Sequence, residues 1–219
     1  MPVRIFPAIT DEVHHVFSKS IEGFKVLRDD REYERMRSLL KFYTKGNPPL
    51  KFSAFLKLKN KSYFQQKKIS DNNSLVKIIA YCFMPTHFHL VLKQLKHNGI
   101  SIFMRRILDS YAKYFNIKTK RKGPLWESRF KNVILRTDEI LLHVTRYVHL
   151  NPVTAYLVDY PNNWAFSSYK EFLGQIEEDE KVCDFSELMD INAKSYQKFV
   201  DSNIDYQRKL AYTKKYFLE

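Results

Sequence analysis

The apolar positions of this 219-residue chain switch period several times, from two to between three and four and back, and each switch predicts an element. EVHHVFSKSI (12–21) alternates loosely and predicts a first strand. In DDREYERMRSLLKFYTKG (29–46), Tyr33, Met36, Leu39, Leu40 and Tyr43 fall at helical spacing; Asp29 or Asp30 can cap that helix, and Gly46 stands where it would stop. NPP (47–49) then forces a turn. Residues 51–74 are lysine-rich with scattered Phe, Leu and Tyr, and read as a basic insertion with some helical character. LVKIIAYCFM (75–84) is a β-branched run, PT turns the chain, and HFHLVLKQ (87–94) returns as a second strand. SIFMRRILDSYAKYFNIK (101–118) is an amphipathic helix, and FKNVIL (130–135) is strand-like. TDEILLHVTRYVHLN (137–151) is the clearest helix, capped by Thr137, with Glu139 in its first turn and Pro152 ending it. After NNWAFSSYKEFLG (162–174) the composition turns acidic at QIEEDEKVCD (175–184), a linker, and a small helical tail follows (185–219). The order β-α-β-β-α-β-α predicts an α+β fold: a ferredoxin-like antiparallel sheet with helices on one face. One domain is expected over residues 1–175, and a linker with a helical tail over 176–219.

Composition narrows the partners. Lys and Arg outnumber Asp and Glu by 37 to 24, a formal net charge of +13, so polyanions are attracted through solution and nucleic acid is the first partner to consider. Apolar and aromatic content is that of an ordinary folded protein, which speaks against disorder. No apolar run approaches the ~20 residues that span a bilayer, and MPVRIFPAITDEV lacks an apolar h-region, so a cytoplasmic protein without a membrane partner is expected. Cys82 and Cys183 are too few for a disulfide framework and lack metal-ligand spacing, which fits a reducing compartment.

Strand side chains alternate faces, so His87, His89, Val91 and Lys93 share one face and Phe88, Leu90 and Leu92 the other. The Phe/Leu/Leu side is the core side. The two imidazoles then project together from the opposite face, close enough to reach one divalent ion. Neutral imidazole suits transition metals, and Mg²⁺ or Mn²⁺ would need added oxygen ligands. Taken alone, the H-x-H spacing fits a solvated or hydrogen-bonded pair better. In TRYVHLNPV (145–153), Tyr147 and Asn151 are four apart and lie on one helix face, one turn from each other. Beside a metal such a tyrosine is a nucleophile. Without one it is a helix-end residue packed on the sheet, with Asn151 as a cap, and among 14 tyrosines the residue types alone favour that. His149 should point away from Tyr147, ~200° round the helix. Tyr111 and Tyr114, on the preceding helix, are the rival nucleophiles.

Three stretches change these odds by occurring together and in order: AYCFMPTHFHLVLKQ (80–94), SYAKYFNIKTKRKGPLWESRFKNVIL (110–135) and TRYVHLNPV (145–153). They resemble the REP-associated tyrosine transposases, a domesticated branch of the single-tyrosine HUH transposases in the IS200-like superfamily. NNWAFSSYKEFLG resembles the segment just after the catalytic domain of those proteins. The resemblance implies a ferredoxin-like sheet with the histidine pair on a central strand. It implies His87 and His89 as metal ligands, Tyr147 as nucleophile, and Asn151 as a third group near a divalent metal, Mg²⁺ or Mn²⁺. The implied activity is nicking and rejoining of single-stranded, hairpin-forming repetitive DNA through a 5′-phosphotyrosine. Where such proteins carry a loop like NRG after the first strand, this chain has FSKSIEG (17–23), which bears on the DNA recognised and not on the metal or tyrosine positions.

Under that resemblance the basic residues acquire a role. Arg105 and Arg106, then Lys118, Lys120, Arg121 and Lys122, then Arg129 and Lys131 are expected around the site as phosphate contacts, which set affinity and salt dependence more than sequence choice. Trp126 is expected to stack on an unpaired base or to pack under its loop, and Phe130 to pack. The expected partner is single-stranded or hairpin DNA, bound by a monomer or a homodimer. The alternative is a DNA- or structured-RNA-binding protein on the same fold that has lost cleavage. The intact set of His87, His89, Tyr147 and Asn151 argues against that loss.

Overall fold

The computed structural model describes residues 7–46, 48–58 and 73–217, and the expected elements appear in the expected order. Strands β1 (Val13–Lys19), β2 (Val76–Phe83), β3 (His87–Gln94) and β4 (Lys131–Leu135) are joined through helices α1 (Asp30–Tyr43) and α2 (Gly99–Thr119). Helix α3 (Asp138–Thr154) follows, and α4 (Ala193–Asp201) and α5 (Ile204–Phe217) form the tail. The strands make one antiparallel sheet in the order β2-β3-β1-β4. β1 and β2 thus run parallel with β3 between them, and β3 and β4 run parallel with β1 between them. With α1 and α2 as the crossovers, this is the ferredoxin-like arrangement, and it puts the histidine strand inside the sheet.

Both crossover helices lie on one face, as expected. α1 starts at Asp29, whose side chain accepts the Glu32 N–H at 2.9 Å. Its Tyr33, Met36, Leu39 and Leu40 join Phe103, Ile107, Tyr111 and Phe115 of α2 over Val16, Phe88, Leu90 and Leu92. Each such aliphatic or aromatic side chain contributes about 1.5–3 kcal/mol on burial. α2 can begin where it does because residue 99 is glycine: a Cβ there would stand 2.3 Å from the Leu75 carbonyl oxygen. Phe52 is buried in the same core, whereas residues 59–72 of the expected basic insertion lie outside the described residues.

The other face is covered too. Leu141, Val148 and Val153 of α3, with Tyr196, Val200 and Ile204 of the tail, pack on Val13, Ala80, Cys82, Val91 and Leu135. α3 is capped as expected, Thr137 Oγ1 accepting the Ile140 N–H at 3.2 Å. It does not end at Pro152 but runs on to Thr154. Proline removes one N–H from the last turn, and the Ala155 N–H still reaches the Asn151 carbonyl at 2.9 Å, so the helix closes around the gap. The acidic stretch expected as a linker is docked on the domain. Glu171 accepts the Val182 and Cys183 N–H groups at 2.9 and 2.8 Å, and the Asp184 N–H donates to the Ile78 carbonyl at 2.8 Å. A bulge between Ile78 and Ala80 interrupts β2. Val76 and Ile78 before it, and Tyr81 and Phe83 after it, face the first core, while Ile79, Ala80 and Cys82 face the second. Among the described residues no helix is long and apolar enough to cross a membrane.

Candidate active site

On the α3 face, β1 and β3 pair with Phe17 opposite His89 and Lys19 opposite His87. That register lays His15, Phe17 and Lys19 alongside His87 and His89. The His87 and His89 rings are 5.1 Å apart, edge to face. The His15 ring lies 5.1 Å from that of His89 with planes only 18° apart, and its Nε2 is 3.0 Å from His89 Nδ1. α3 sets the Tyr147 ring edge-on to both, 5.6 Å from His89 and 6.0 Å from His15. Tyr147 stays 38% exposed, so its ring sits at the rim where a substrate can reach it.

Burial keeps the imidazoles neutral. His15 and His87 are each pushed down to about 4, and His89 well below the ordinary histidine value; Lys19 adds its charge to the desolvation at His87 and His89. Neutral rings are the form that binds metals. The Nδ1 atoms are engaged, His87 with Thr86 Oγ1 at 2.9 Å and His89 with His15, and where each Nδ1 is the donor, Nε2 of that ring is the lone pair a metal would take. Asn151 Nδ2 donates to the Tyr147 carbonyl at 2.9 Å, leaving the amide oxygen. Among the described residues no three of His, Cys, Asp and Glu group as a metal site by themselves. Two imidazoles with oxygens from an amide, water or phosphate fit a divalent ion that accepts both donors, such as Mn²⁺. The Tyr147 phenol is pushed up by burial, against a hydrogen bond from Asn151 that holds it down, so it is neutral at pH 7.

The remaining candidates are sorted by the fold. His149 points away from Tyr147: it is fully buried, with Nδ1 2.7 Å from Tyr196 Oη and Nε2 2.8 Å from Ser168 Oγ. Tyr111 is buried on the α1–α2 face, donating to the Val26 carbonyl at 2.6 Å, and Tyr114 lies under the Arg35 guanidinium at 3.9 Å. The expected basic series is split by the sheet. Arg105, Arg106 and Lys118 belong to α2, on the face away from the histidines. Arg106 donates to the Gly46 carbonyl, and Lys118 pairs with Asp29 and the buried Glu32 at 3.0 and 2.9 Å. Arg121 donates to the Pro124 carbonyl at 2.7 Å, while Lys120, Lys122 and Arg129 are exposed on the loop toward β4. Lys131 stands opposite Phe17, on the histidine face. Trp126 donates to the Leu108 carbonyl at 3.1 Å and packs against Phe88 and Tyr111, and Phe130 is buried in the same core.

Sequence reasoning missed His15, Phe17 and Lys19. Their signal was present, since alternate residues of VHHVFSK share a face, but alternation does not say which strand lies alongside.

Comparison with known proteins adds three findings. Residues 55–151, which include His87, His89, Tyr147 and Asn151, match the family model described as Transposase IS200 like. A curated relative from Haemophilus influenzae, provisionally named a REP-associated tyrosine transposase, is 28% identical over 102 residues. The match covers 42% of this chain and 57% of that protein, so it spans little more than half of the relative's length. A solved structure of a REP-associated tyrosine transposase bound to a REP hairpin is similar in fold, with a TM-score of 0.54 and 17% identity, covering 88% of this chain and 99% of that one.

Proposed function

We propose that this chain, whose resemblance to the REP-associated tyrosine transposases is borne out by family match, relative and fold, is a DNA-processing enzyme that cuts and rejoins single-stranded DNA through Tyr147. The observation behind the reading is one convergence: a rim tyrosine edge-on to the histidine cluster, beside two neutral imidazoles whose Nε2 atoms are open.

In this reading Tyr147 Oη attacks the scissile phosphorus as its proton passes to water, and water returns a proton to the departing oxygen. The bond to the 3′-oxygen breaks, that oxygen departs as a 3′-hydroxyl, and the 5′-phosphate stays on the tyrosine. A 3′-hydroxyl attacking the phosphotyrosine reverses the step and frees the phenol. His87, His89 and Asn151 would hold a divalent ion, which when bound supplies charge withdrawal at the phosphate. Lys19 and Lys131 flank the pair and take phosphate charge from an entering strand. Phe17, 5.8 Å from His89 between ring centres, offers a face to an unpaired base. The hairpin held by the similar solved transposase supports hairpin DNA as the substrate class. Residues 1–175 would form the catalytic unit, with the tail helices α4 and α5 bracing α3 from behind.

The deciding experiment incubates the protein with a labelled single-stranded hairpin and Mn²⁺ and resolves the products on a denaturing gel. A protein–DNA adduct lost in Tyr147→Phe is expected. A hairpin bound without any adduct would leave the binding-only alternative, and an adduct surviving Tyr147→Phe would place the nucleophile elsewhere.

A further inference from the structure

We infer that His15 is a positioning residue of this site: its ring decides which nitrogen of His89 carries the proton, and so keeps the other nitrogen open to a cation. The inference rests on the proposed role of His89 as a ligand and deepens it.

His15 Nε2 and His89 Nδ1 are 3.0 Å apart, so one hydrogen lies between them. Only two neutral arrangements satisfy that contact. In one, His15 donates from Nε2; His89 Nδ1 accepts, its own proton sits on Nε2, and that nitrogen cannot bind a metal. In the other, His89 donates from Nδ1 to the lone pair of His15 Nε2, and His89 Nε2 is left as a lone pair. A cation at His89 requires the second arrangement, and His15 supplies the acceptor for it. His87 has its counterpart in Thr86, whose hydroxyl lies 2.9 Å from Nδ1 and can accept in the same way.

The fold holds His15 in this role. β1 is an interior strand, paired on both sides, so the His15 backbone is fixed against β3 and β4. Its ring is bounded by Phe17 at 5.3 Å and by the edge of Tyr147 at 6.0 Å. The ring that orients His89 therefore also bears on the proposed nucleophile. An apolar side chain would fill the space and leave His89 Nδ1 without its acceptor.

Metal affinity tests this apart from catalysis. Metal-free wild type, His15→Leu, His15→Ala and His15→Gln are titrated with Mn²⁺, with free Mn²⁺ read by electron paramagnetic resonance, and thermal unfolding of each is recorded without metal. His15→Leu and His15→Ala are expected to bind Mn²⁺ about 10–100-fold more weakly. His15→Gln, whose amide oxygen restores an acceptor, is expected to recover most of the affinity although its apo stability is no higher than that of His15→Leu. If His15→Ala fails to fold, the Leu and Gln pair makes the comparison. Wild-type affinity in His15→Leu, or Gln no better than Leu, overturns the inference and leaves the ligand reading standing. Wild type that binds no Mn²⁺ removes the ligand reading and this inference with it.

Discussion

The two faces of the sheet are put to different uses by the same strands. On the α1–α2 side, Val16, Phe88, Leu90 and Leu92 are all fully buried, and two helices seal them from end to end. On the α3 side the seal is partial. Val13, Val91 and Leu135 lie buried at one end, whereas Phe17 and His87 are half-buried and Lys19 and Lys131 are exposed at the other. The first face resembles any small-domain core. The second is a core that stops short, and its polar residues collect where it stops. A strand covered on both sides can therefore serve stability at every other residue and chemistry at the residues between.

Paired substitutions on neighbouring strand and helix positions test that division most severely. Tyr147→Phe is expected to abolish the adduct, since phenylalanine has no oxygen to bond phosphorus, while moving the stability by no more than about 0.5 kcal/mol. Phe88→Ala, one residue from each histidine but on the sealed face, is expected to cost about 3–5 kcal/mol in urea unfolding and to leave the adduct per folded molecule near wild type. A Phe88→Ala protein that stays folded yet makes no adduct would break the comparison.

Acid separates the faces next. His149 is pushed down to about 3, and His15 and His87 to about 4, by burial on the α3 side and, at His87, also by the Lys19 charge. An unfolded chain takes up these protons near pH 6.5, and the folded one does not until far lower. Stability from these groups is thus fully present above pH ~6.5 and falls as the pH drops toward 4. For the fully buried His149 the slope is about 1.4 kcal/mol per pH unit. Urea midpoints measured from pH 7 to 5 should fall accordingly, and His149→Gln should fall less steeply by about one histidine's share. Equal slopes would mean that His149 is protonated in the fold.

The smallest effect concerns cations. Lys19→Ala and Lys131→Ala should each lower the salt dependence of hairpin-DNA binding by about 0.7 in the log–log slope. Lys118→Ala should leave the slope unchanged, because that ammonium is already committed to Asp29 and Glu32. Equal slopes for all three, measured by fluorescence anisotropy across a salt series, would put DNA on both faces.

What the chain disclosed beforehand follows the same division. The shared face of His87 and His89, the Tyr147–Asn151 helix turn and the turning of His149 away from Tyr147 were legible, because each depends on local periodicity. His15 was hidden because its importance comes from strand pairing across 74 residues of sequence. Lys118 looked like its basic neighbours until its acidic partners on α1 were in place, and Arg106 until it met the Gly46 carbonyl. The docking of the acidic stretch depends on backbone N–H groups and one buried carboxylate, which leave no mark in hydropathy.

The irregularity at Ile79 has its own consequence. β2 holds one residue more than strict alternation allows, so its two halves are out of phase, like two stretches of text on either side of an inserted letter. Deleting Ile79 would restore strict alternation and leave every other side chain of β2 on its present face, so the loss would fall on the second core, which gives up one fully buried side chain. Because the Asp184 amide fastens to Ile78 at this same point, the deletion would also unmoor the return of the chain toward its tail.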